Sequence, residues 1–155
     1  GAKAPLIIRN PKAGGKGQPC RRIVEFVDIY PTLTELAGLP TPKQVEGRSL
    51  KRLLDNPLTQ WNGTAITQVL RPADYRLKDP VMGRSIRTER WRYSDWGEGK
   101  YGEELYDHFA DPMEFNNLAL NPTKENSIII KSLKKELTEK ASGKVPTTPV
   151  NPKRL

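Results

Sequence analysis

Cysteine and histidine are almost absent from this sequence. The chain of 155 residues contains one cysteine, Cys20, and one histidine, His108. A single cysteine excludes an internal disulfide framework, and a single histidine excludes a metal cluster built on histidines. His108 is the one residue that could serve as the base of a Cys–His or Ser–His pair. We interpret it instead as a solvated histidine in the turn after a predicted strand.

Long apolar runs are absent as well. Hydrophobic residues make up 35% of the chain, and no run approaches the length of a membrane-spanning helix. The chain does not open with a basic segment followed by an apolar stretch, so no signal peptide is visible. The 14 prolines and 12 glycines predict many turns. We expect no membrane partner.

Positive charge is in excess. Lysine and arginine number 26 against 18 acidic residues, which gives a formal net charge of +8. Such a charge favours acidic partners: nucleic acid, anionic lipid or sulfated polysaccharide. The excess is spread along the chain, and no arginine-rich run, zinc finger or RNP-type aromatic motif is present. The sequence therefore disfavours nucleic acid.

Four short β-prone runs predict a small antiparallel sheet. Residues 64–70 are rich in β-branched side chains, while residues 85–88 and 91–96 flank a polar Glu-Arg pair that suits the bend of a hairpin. Residues 105–106 follow a glycine-rich connection and form the last run. A sheet of this size needs a cover for its apolar face.

Two helices are predicted from capping signals and apolar spacing. Asp28 suits the N-cap of a helix over residues 29–36, and Gly38 suits its end. Asn121 suits the N-cap of a second helix, with Pro122 at its first position. We expect the second helix to cover the sheet with the stripe Ile130, Leu133, Leu137 and Ala141. Its remaining face, with Lys134, Lys135 and Glu139, is predicted to be wet.

The order of these elements predicts an α+β fold, in which an antiparallel sheet of about four strands packs against the C-terminal helix. Residues 5–9 suit a buried strand before the sheet. With the helix over residues 29–36 and its apolar face, this strand resembles a piece of a larger sheet. In the first hairpin strand we interpret Arg84 and Arg87 as structural, one of them pairing with Asp95 or Glu104.

Several ordered blocks carry a family resemblance. They are "VDIYPTLTELAGLP" (residues 27–40), extended by "EGRSLKRLL" (46–54), then "MGRSIRTERWRYSDW" (82–96) and "ELYDHFADPMEFNNLA" (104–119). Together they closely resemble the C-terminal region of type I sulfatases, in particular iduronate-2-sulfatase-like enzymes. The resemblance implies that residues 1–55 are the terminal strand, loop and helix of the large α/β, alkaline-phosphatase-like domain. Residues 56–143 would form the C-terminal sheet-and-helix subdomain, and residues 144–155, rich in proline, a disordered tail.

The chemistry implied by the resemblance is hydrolysis of a sulfate ester with formylglycine and calcium. In the family, the nucleophile motif and the metal carboxylates precede the region matched here, and Cys20 lacks the Cys-x-Pro-x-Arg pattern because Arg22 stands in place of proline. We therefore assign no catalytic residue, metal ligand or cofactor to this chain. The block "QVLRP" (68–72) resembles a family segment whose following loop faces the active-site mouth, although Val69 and Leu70 depart from it. Arg71 and Arg76 are the predicted substrate-binding residues.

The preferred hypothesis is a C-terminal sulfatase fragment that is structural, closes the substrate pocket and is inactive alone. Its expected partners are the N-terminal catalytic portion of the same sulfatase and a sulfated sugar or glycan. The family implies a secreted, periplasmic or lysosomal setting. Two alternatives stay open: a non-catalytic basic module that binds polyanions, and a scaffold whose helix faces dock another chain.

Overall fold

The computed structural model describes residues 3–71 and 79–141. In chain order the elements are α1 (Ile29–Leu36), α2 (Lys51–Asp55), β1 (Ala65–Arg71), β2 (Val81–Arg87), β3 (Trp91–Trp96), β4 (Glu103–Asp107) and α3 (Lys124–Ala141). A 3-10 turn, Phe26–Asp28, leads into α1. Contacts divide the described residues into two units: residues 3–67 with 87–91, and the remainder.

Four antiparallel strands form one sheet in the order β1-β2-β3-β4, and α3 follows them. This arrangement confirms the predicted fold class. The predicted bend between β2 and β3 is closed by Thr88. Its backbone N–H donates to the Trp91 carbonyl at 2.8 Å, and its hydroxyl accepts from the Trp91 N–H at 2.8 Å. Residues 89 and 90 are thereby left to turn the chain.

In the first unit, α1 has the predicted bounds, but Asp28 does not cap it. The Asp28 carboxylate accepts hydrogen bonds from the backbone N–H groups of Glu25 (2.9 Å) and Arg48 (2.8 Å) and makes none to α1. The reason is its backbone conformation. Asp28 ends the 3-10 turn with φ −73° and ψ −16°, whereas an N-cap residue is extended. Asp28 instead holds two distant segments together.

The strand predicted over residues 5–9 is not formed. Leu6 and Ile8 pack against the buried cluster of Leu50, Leu53 and Trp61, while Ile7 is 91% exposed. This alternation is that of a strand. However, a strand also needs a neighbour to accept and donate its backbone hydrogen bonds, and the described residues give residues 5–9 none.

An apolar surface of the first unit is left in water. Leu33, from the predicted apolar face of α1, is 54% exposed, and the nearby Phe26, Tyr30 and Leu39 are 63%, 54% and 60% exposed. We call these four residues the apolar surface of the first unit. A patch of this kind is typical of a surface that another polypeptide covers.

In the second unit, the buried apolar residues come from the sheet and from α3. They are Val81, Ile86, Tyr93 and Leu105 on the strands, and Leu133, Leu137 and Ala141 on the helix. The last three confirm most of the predicted stripe, and Ile130 is half-buried. The side chain of Lys134 was predicted to be wet and is instead half-buried, because its long stem reaches Glu103 of β4 with an Nζ–Oε1 distance of 2.6 Å.

The start of α3 also differs from the prediction. Thr123, not Asn121, is the N-cap of α3, because its hydroxyl accepts a hydrogen bond from the Asn126 backbone N–H at 3.1 Å. Pro122 therefore precedes the cap rather than following it. The domain boundaries predicted at residues 55 and 143 stay predictions, and the tail over residues 144–155 lies outside the described residues. No helix within residues 3–71 and 79–141 has the length and apolar character that crossing a bilayer requires.

Candidate functional site

Arg71, the first predicted substrate-binding residue, lies at the exposed end of β1. Its guanidinium carbon stands 4.3 Å from the centroid of the Trp96 ring, a cation–π contact. Gly83 allows the ring to lie close to β2, since a Cβ at this position would meet Trp96 Cζ3 at 2.5 Å and Cε3 at 2.7 Å. The contact holds the guanidinium beside the ring.

A cavity of about 360 Å³ opens beside this stack. Arg71 and Trp96 form part of its wall, with Tyr101, Glu103 and Asn117 among the other lining residues. Its size falls within the range of small-molecule sites, on the order of 300–1,000 Å³. Sequence reasoning found Arg71 but missed the other four, because they lie 25 or more positions away in the chain and no local pattern links them to β1.

Two acidic residues, Glu103 and Glu104, line the cavity, and hydrogen bonds hold Glu103 in place. Its Oε1 accepts from the Tyr93 hydroxyl at 2.7 Å and from Lys134 Nζ at 2.6 Å. The hydrogen bond from Lys134 holds the pKa of Glu103 below its ordinary value, against a smaller opposing effect of burial. Burial and the Glu103 carboxylate raise the pKa of Tyr93, so the phenol stays protonated and donates. Glu103 is thus committed to structure rather than to proton transfer.

Asn117, another lining residue, is also held by hydrogen bonds. Its Oδ1 accepts from the backbone N–H groups of Leu105 (3.0 Å) and Ala119 (2.9 Å), and its Nδ2 donates to the Glu103 carbonyl at 3.1 Å. These bonds tie the loop after β4 to β4 itself. Asn117 therefore has a structural role in this turn.

Neither formylglycine nor calcium fits the described residues. Cys20 is exposed and its thiol faces the Pro57 carbonyl at 3.7 Å, outside any cluster of acidic groups. Over residues 3–71 and 79–141, His, Cys, Asp and Glu never gather in a group of three that could hold a metal ion. No step that involves either group is derived from this chain.

Arg84, Arg87 and Asp111 have structural partners. Arg84 pairs with Asp95, as one of the two alternatives predicted, and Arg87 donates to backbone carbonyls at the hairpin bend, including that of Trp91 at 3.2 Å. Asp111 accepts from the Asn116 backbone N–H at 2.8 Å, and such backbone hydrogen bonds lower its pKa. Arg76, the second predicted substrate-binding residue, lies outside the described residues.

The interpretation of His108 as a solvated histidine is wrong. Its ring Nε2 lies 2.7 Å from Glu114 Oε1, and the side chain is only 19% exposed. The same carboxylate pairs with Arg92 at 2.8 Å. The Glu114 backbone is left-handed, with φ +61°.

A second cavity, of about 580 Å³, lies in the first unit. It is lined by Arg48, Ser49, Arg52, Gln60, Trp61 and Asn62. Sequence reasoning missed it entirely, since "EGRSLKRLL" was informative only as part of a resemblance. Two arginines four positions apart could have raised the question of an anion site, but Trp61 and Asn62 come from a separate loop.

The family is shown by comparison with known proteins. The profile of the family described as N-sulphoglucosamine sulphohydrolase, C-terminal, matches residues 1–143. The chain belongs to this sulfatase family. The match confirms the resemblance and includes both cavities described above.

Curated relatives of this sulfatase region are themselves sulfatases. An N-acetylglucosamine-6-O-sulfatase of Bacteroides thetaiotaomicron is 35% identical over 124 residues, covering 75% of this chain and 21% of the relative. A Delta 4,5-hexuronate-2-O-sulfatase of the same organism is 31% identical, covering 76% and 24%. Human arylsulfatase K is 28% identical, covering 77% and 23%. The chain therefore spans between about a fifth and a quarter of the length of these relatives.

Solved structures give the same result. A 2-O GAG sulfatase superimposes with a TM-score of 0.59 at 31% identity, covering 74% of this chain and 24% of the other. A protein solved in complex with its substrate D-glucosamine-2-N,6-O-disulfate superimposes with a TM-score of 0.55 at 28% identity, covering 74% and 23%. The sulfatase C-terminal region thus has the fold of its relatives, which are of the alkaline-phosphatase-like class.

Proposed function

We propose that this chain is the pocket-closing and stabilising part of a sulfatase that hydrolyses sulfate esters of a sugar or glycan, and that it is inactive alone. Relatives that act on sulfated sugars cover the same region with only about a quarter or less of their own length. The catalytic centre, with its formylglycine and calcium, would belong to an N-terminal catalytic portion. The setting would be secreted, periplasmic or lysosomal.

The stack of Arg71 on Trp96 carries the pocket-closing role. The ring holds a planar cation at the edge of a cavity of small-molecule size. A guanidinium in this position donates two parallel hydrogen bonds to an oxyanion such as a sulfate group. Glu103 and Asn117 keep the wall around it rigid, which limits the entropy lost on binding.

The apolar surface of the first unit supports the stabilising role. Phe26, Tyr30, Leu33 and Leu39 are each more than half exposed. Residues 5–9 have the alternation of a strand, and the part of the chain that the structure describes gives them no strand as a hydrogen-bond partner. A catalytic portion could place a strand beside residues 5–9 and cover these apolar side chains. Both features would then be explained.

Reconstitution tests the proposal. The chain, the N-terminal catalytic portion as a separate polypeptide, and the two together would be assayed for sulfate release from 6-O-sulfated N-acetylglucosamine. We expect activity only from the mixture. Leu33→Glu should prevent assembly, whereas Gln44→Glu, the same change of charge at an exposed polar position of the same unit, should not. Metal-dependent turnover of an aryl sulfate by the chain alone would contradict the proposal.

The net charge of +8 favours one other candidate, a stand-alone module that binds polyanions. This module would need no catalytic portion. Retention on heparin and on DNA columns against salt separates the two, because a polyanion module releases counterions and its affinity falls steeply with salt.

A further inference from the structure

The cavity of the first unit has a rigid floor. Trp61 is only 9% exposed and packs with Leu50 and Leu53. Its indole N–H donates to the Ile23 carbonyl at 2.9 Å, which fixes the orientation of the ring. Gly63 leaves space for this arrangement, since a Cβ there would collide with both the Ile23 carbonyl and the indole nitrogen. The ring is therefore a fixed platform.

Arg48 is held on that platform. Its guanidinium carbon lies 4.2 Å from the centroid of the Trp61 ring, and its Nη1 donates to the Asn62 carbonyl at 3.4 Å. The Arg48 backbone N–H donates to the buried Asp28 carboxylate at 2.8 Å. Side chain and main chain are thus both positioned before any ligand arrives, and the remaining guanidinium N–H groups stay able to donate.

The segment between the two arginines is anchored by a second buried polar group. Thr32 is completely buried, and its hydroxyl accepts from the Leu50 backbone N–H at 2.8 Å while donating to the Asp28 carbonyl at 2.5 Å. These bonds pin the start of α2 to α1. They fix where Arg52, two residues further along, leaves the helix.

Arg52 supplies a second cation to the cavity. Within residues 3–71 and 79–141, the Arg52 side chain makes no hydrogen bond or ion pair. The acid of the same helix, Asp55, is engaged with Lys51 at 2.9 Å and does not line the cavity. Two guanidinium groups therefore line one concave site without an acidic group among the lining residues.

We propose that this cavity binds a sulfate group of an acidic saccharide, with Arg48 and Arg52 donating to the sulfate oxygens. Guanidinium groups suit oxyanions because their paired N–H groups match two oxygens at once. Ser49, Gln60 and Asn62 line the remaining wall and offer the hydroxyl and amide groups that hydrogen-bond to sugar hydroxyls. The choice of a saccharide rests on the proposed function, whereas the oxyanion site rests on the two arginines.

The test measures where and how tightly a sulfated sugar binds. The probe is a heparin-derived tetrasaccharide, compared with its desulfated form, which keeps the carboxylates, and with inorganic sulfate at equal ionic strength. Calorimetry gives affinity, and the NMR signals of the three indole N–H groups give position, because Trp61 lies in this cavity and Trp96 in the other. Thermal melting followed by circular dichroism checks that each variant is folded.

The expected result is specific to the cavity. The sulfated tetrasaccharide should shift the Trp61 signal, Arg52→Gln should weaken binding about tenfold, and Arg48→Lys should also weaken it because lysine cannot stack or donate in a fork. Arg21→Gln, the same change of charge at an exposed residue outside the cavity, should leave affinity within about twofold.

Several outcomes would overturn the proposal: equal losses in the Arg21 and Arg52 variants, equal binding of the desulfated sugar, inorganic sulfate binding as tightly as the tetrasaccharide, or a shift of the Trp96 signal in place of Trp61. An acidic peptide is a further probe. If it binds more tightly than the tetrasaccharide, the cavity is assigned to a protein partner and the proposal is refuted as well. If reconstitution yields no sulfatase activity while Arg52-dependent binding persists, the proposed function fails and the oxyanion site stands.

Discussion

The Arg84 guanidinium donates two hydrogen bonds to the Asp95 carboxylate, with Nε–Oδ1 and Nη2–Oδ2 distances of 3.1 Å and 2.9 Å. Asp95 is completely buried, and the Arg84 side chain is 12% exposed. A buried pair of this geometry satisfies both charges, and the loss of either partner leaves the other charge uncompensated. The pair joins β2 to β3 inside the second unit.

Asp95→Ala should therefore destabilise the protein by about 3–5 kcal/mol, since the largely buried Arg84 charge would be left with the exposed Glu98 at 3.8 Å. Urea denaturation followed by circular dichroism measures the free energy of unfolding. The matched control is Glu139→Ala on α3, whose pair with Lys135 spans 3.9 Å between side chains that are 65% and 78% exposed. That change should cost less than about 0.5 kcal/mol. Similar losses in both variants would contradict the assignment of a buried ion pair.

The shifted pKa of Glu103 predicts acid sensitivity. Lys134 lowers this pKa in the folded protein below the ordinary value of 4.5, so the folded state binds the proton less readily than the unfolded state. The stabilisation is complete above the unfolded pKa and is lost as pH falls through the folded one. Between pH 7 and pH 3, Glu103→Gln should show a shallower loss of stability than the unchanged protein, as measured by urea denaturation at each pH. The same slope in both proteins would show that Glu103 does not contribute.

Local signals in the sequence predicted the positions of the helices better than their caps. The bounds predicted for α1 match the structure, and the spacing of Leu133 and Leu137 indicated the buried stripe of α3. The predicted caps Asp28 and Asn121, by contrast, do not cap these helices. These features depend on residues a few positions apart, where helical geometry and turn chemistry decide the outcome.

The two cavities could not be predicted in the same way. Arg71 meets Trp96, and Arg48 meets Trp61, only because strands and loops return to the same place. Lys134 shows that helical periodicity does not predict every side-chain contact even within one helix. Periodicity gives the direction of Cβ, but not the reach of a four-carbon side chain toward Glu103.

The contact between Gly83 and Trp96 makes the Arg71 platform testable without touching Arg71. In Gly83→Ala the new Cβ would overlap the six-membered ring of Trp96, which must move or force β2 to shift. We expect a loss of about 1–3 kcal/mol in stability. The control is the same substitution in a Trp96→Ala background, where the added methyl group meets no ring and should cost much less. If Gly83→Ala lowers the free energy of unfolding equally in both backgrounds, its effect does not come from overlap with the Trp96 ring.

Arg71 itself is predicted to act in substrate binding rather than in chemistry. In the reconstituted sulfatase, Arg71→Ala should raise KM about tenfold and leave kcat within about twofold, because an exposed, stacked arginine at a cavity edge contacts the substrate equally in the ground and transition states. Arg71→Lys keeps the charge but loses the planar stack on Trp96. Its KM should therefore lie between those of the unchanged protein and of Arg71→Ala. Arg21→Ala, at an exposed arginine of the other unit, is the control for net charge. A fall in kcat with KM unchanged would instead mean that Arg71 acts on the transition state, and an unchanged KM and kcat would remove it from the substrate pocket altogether.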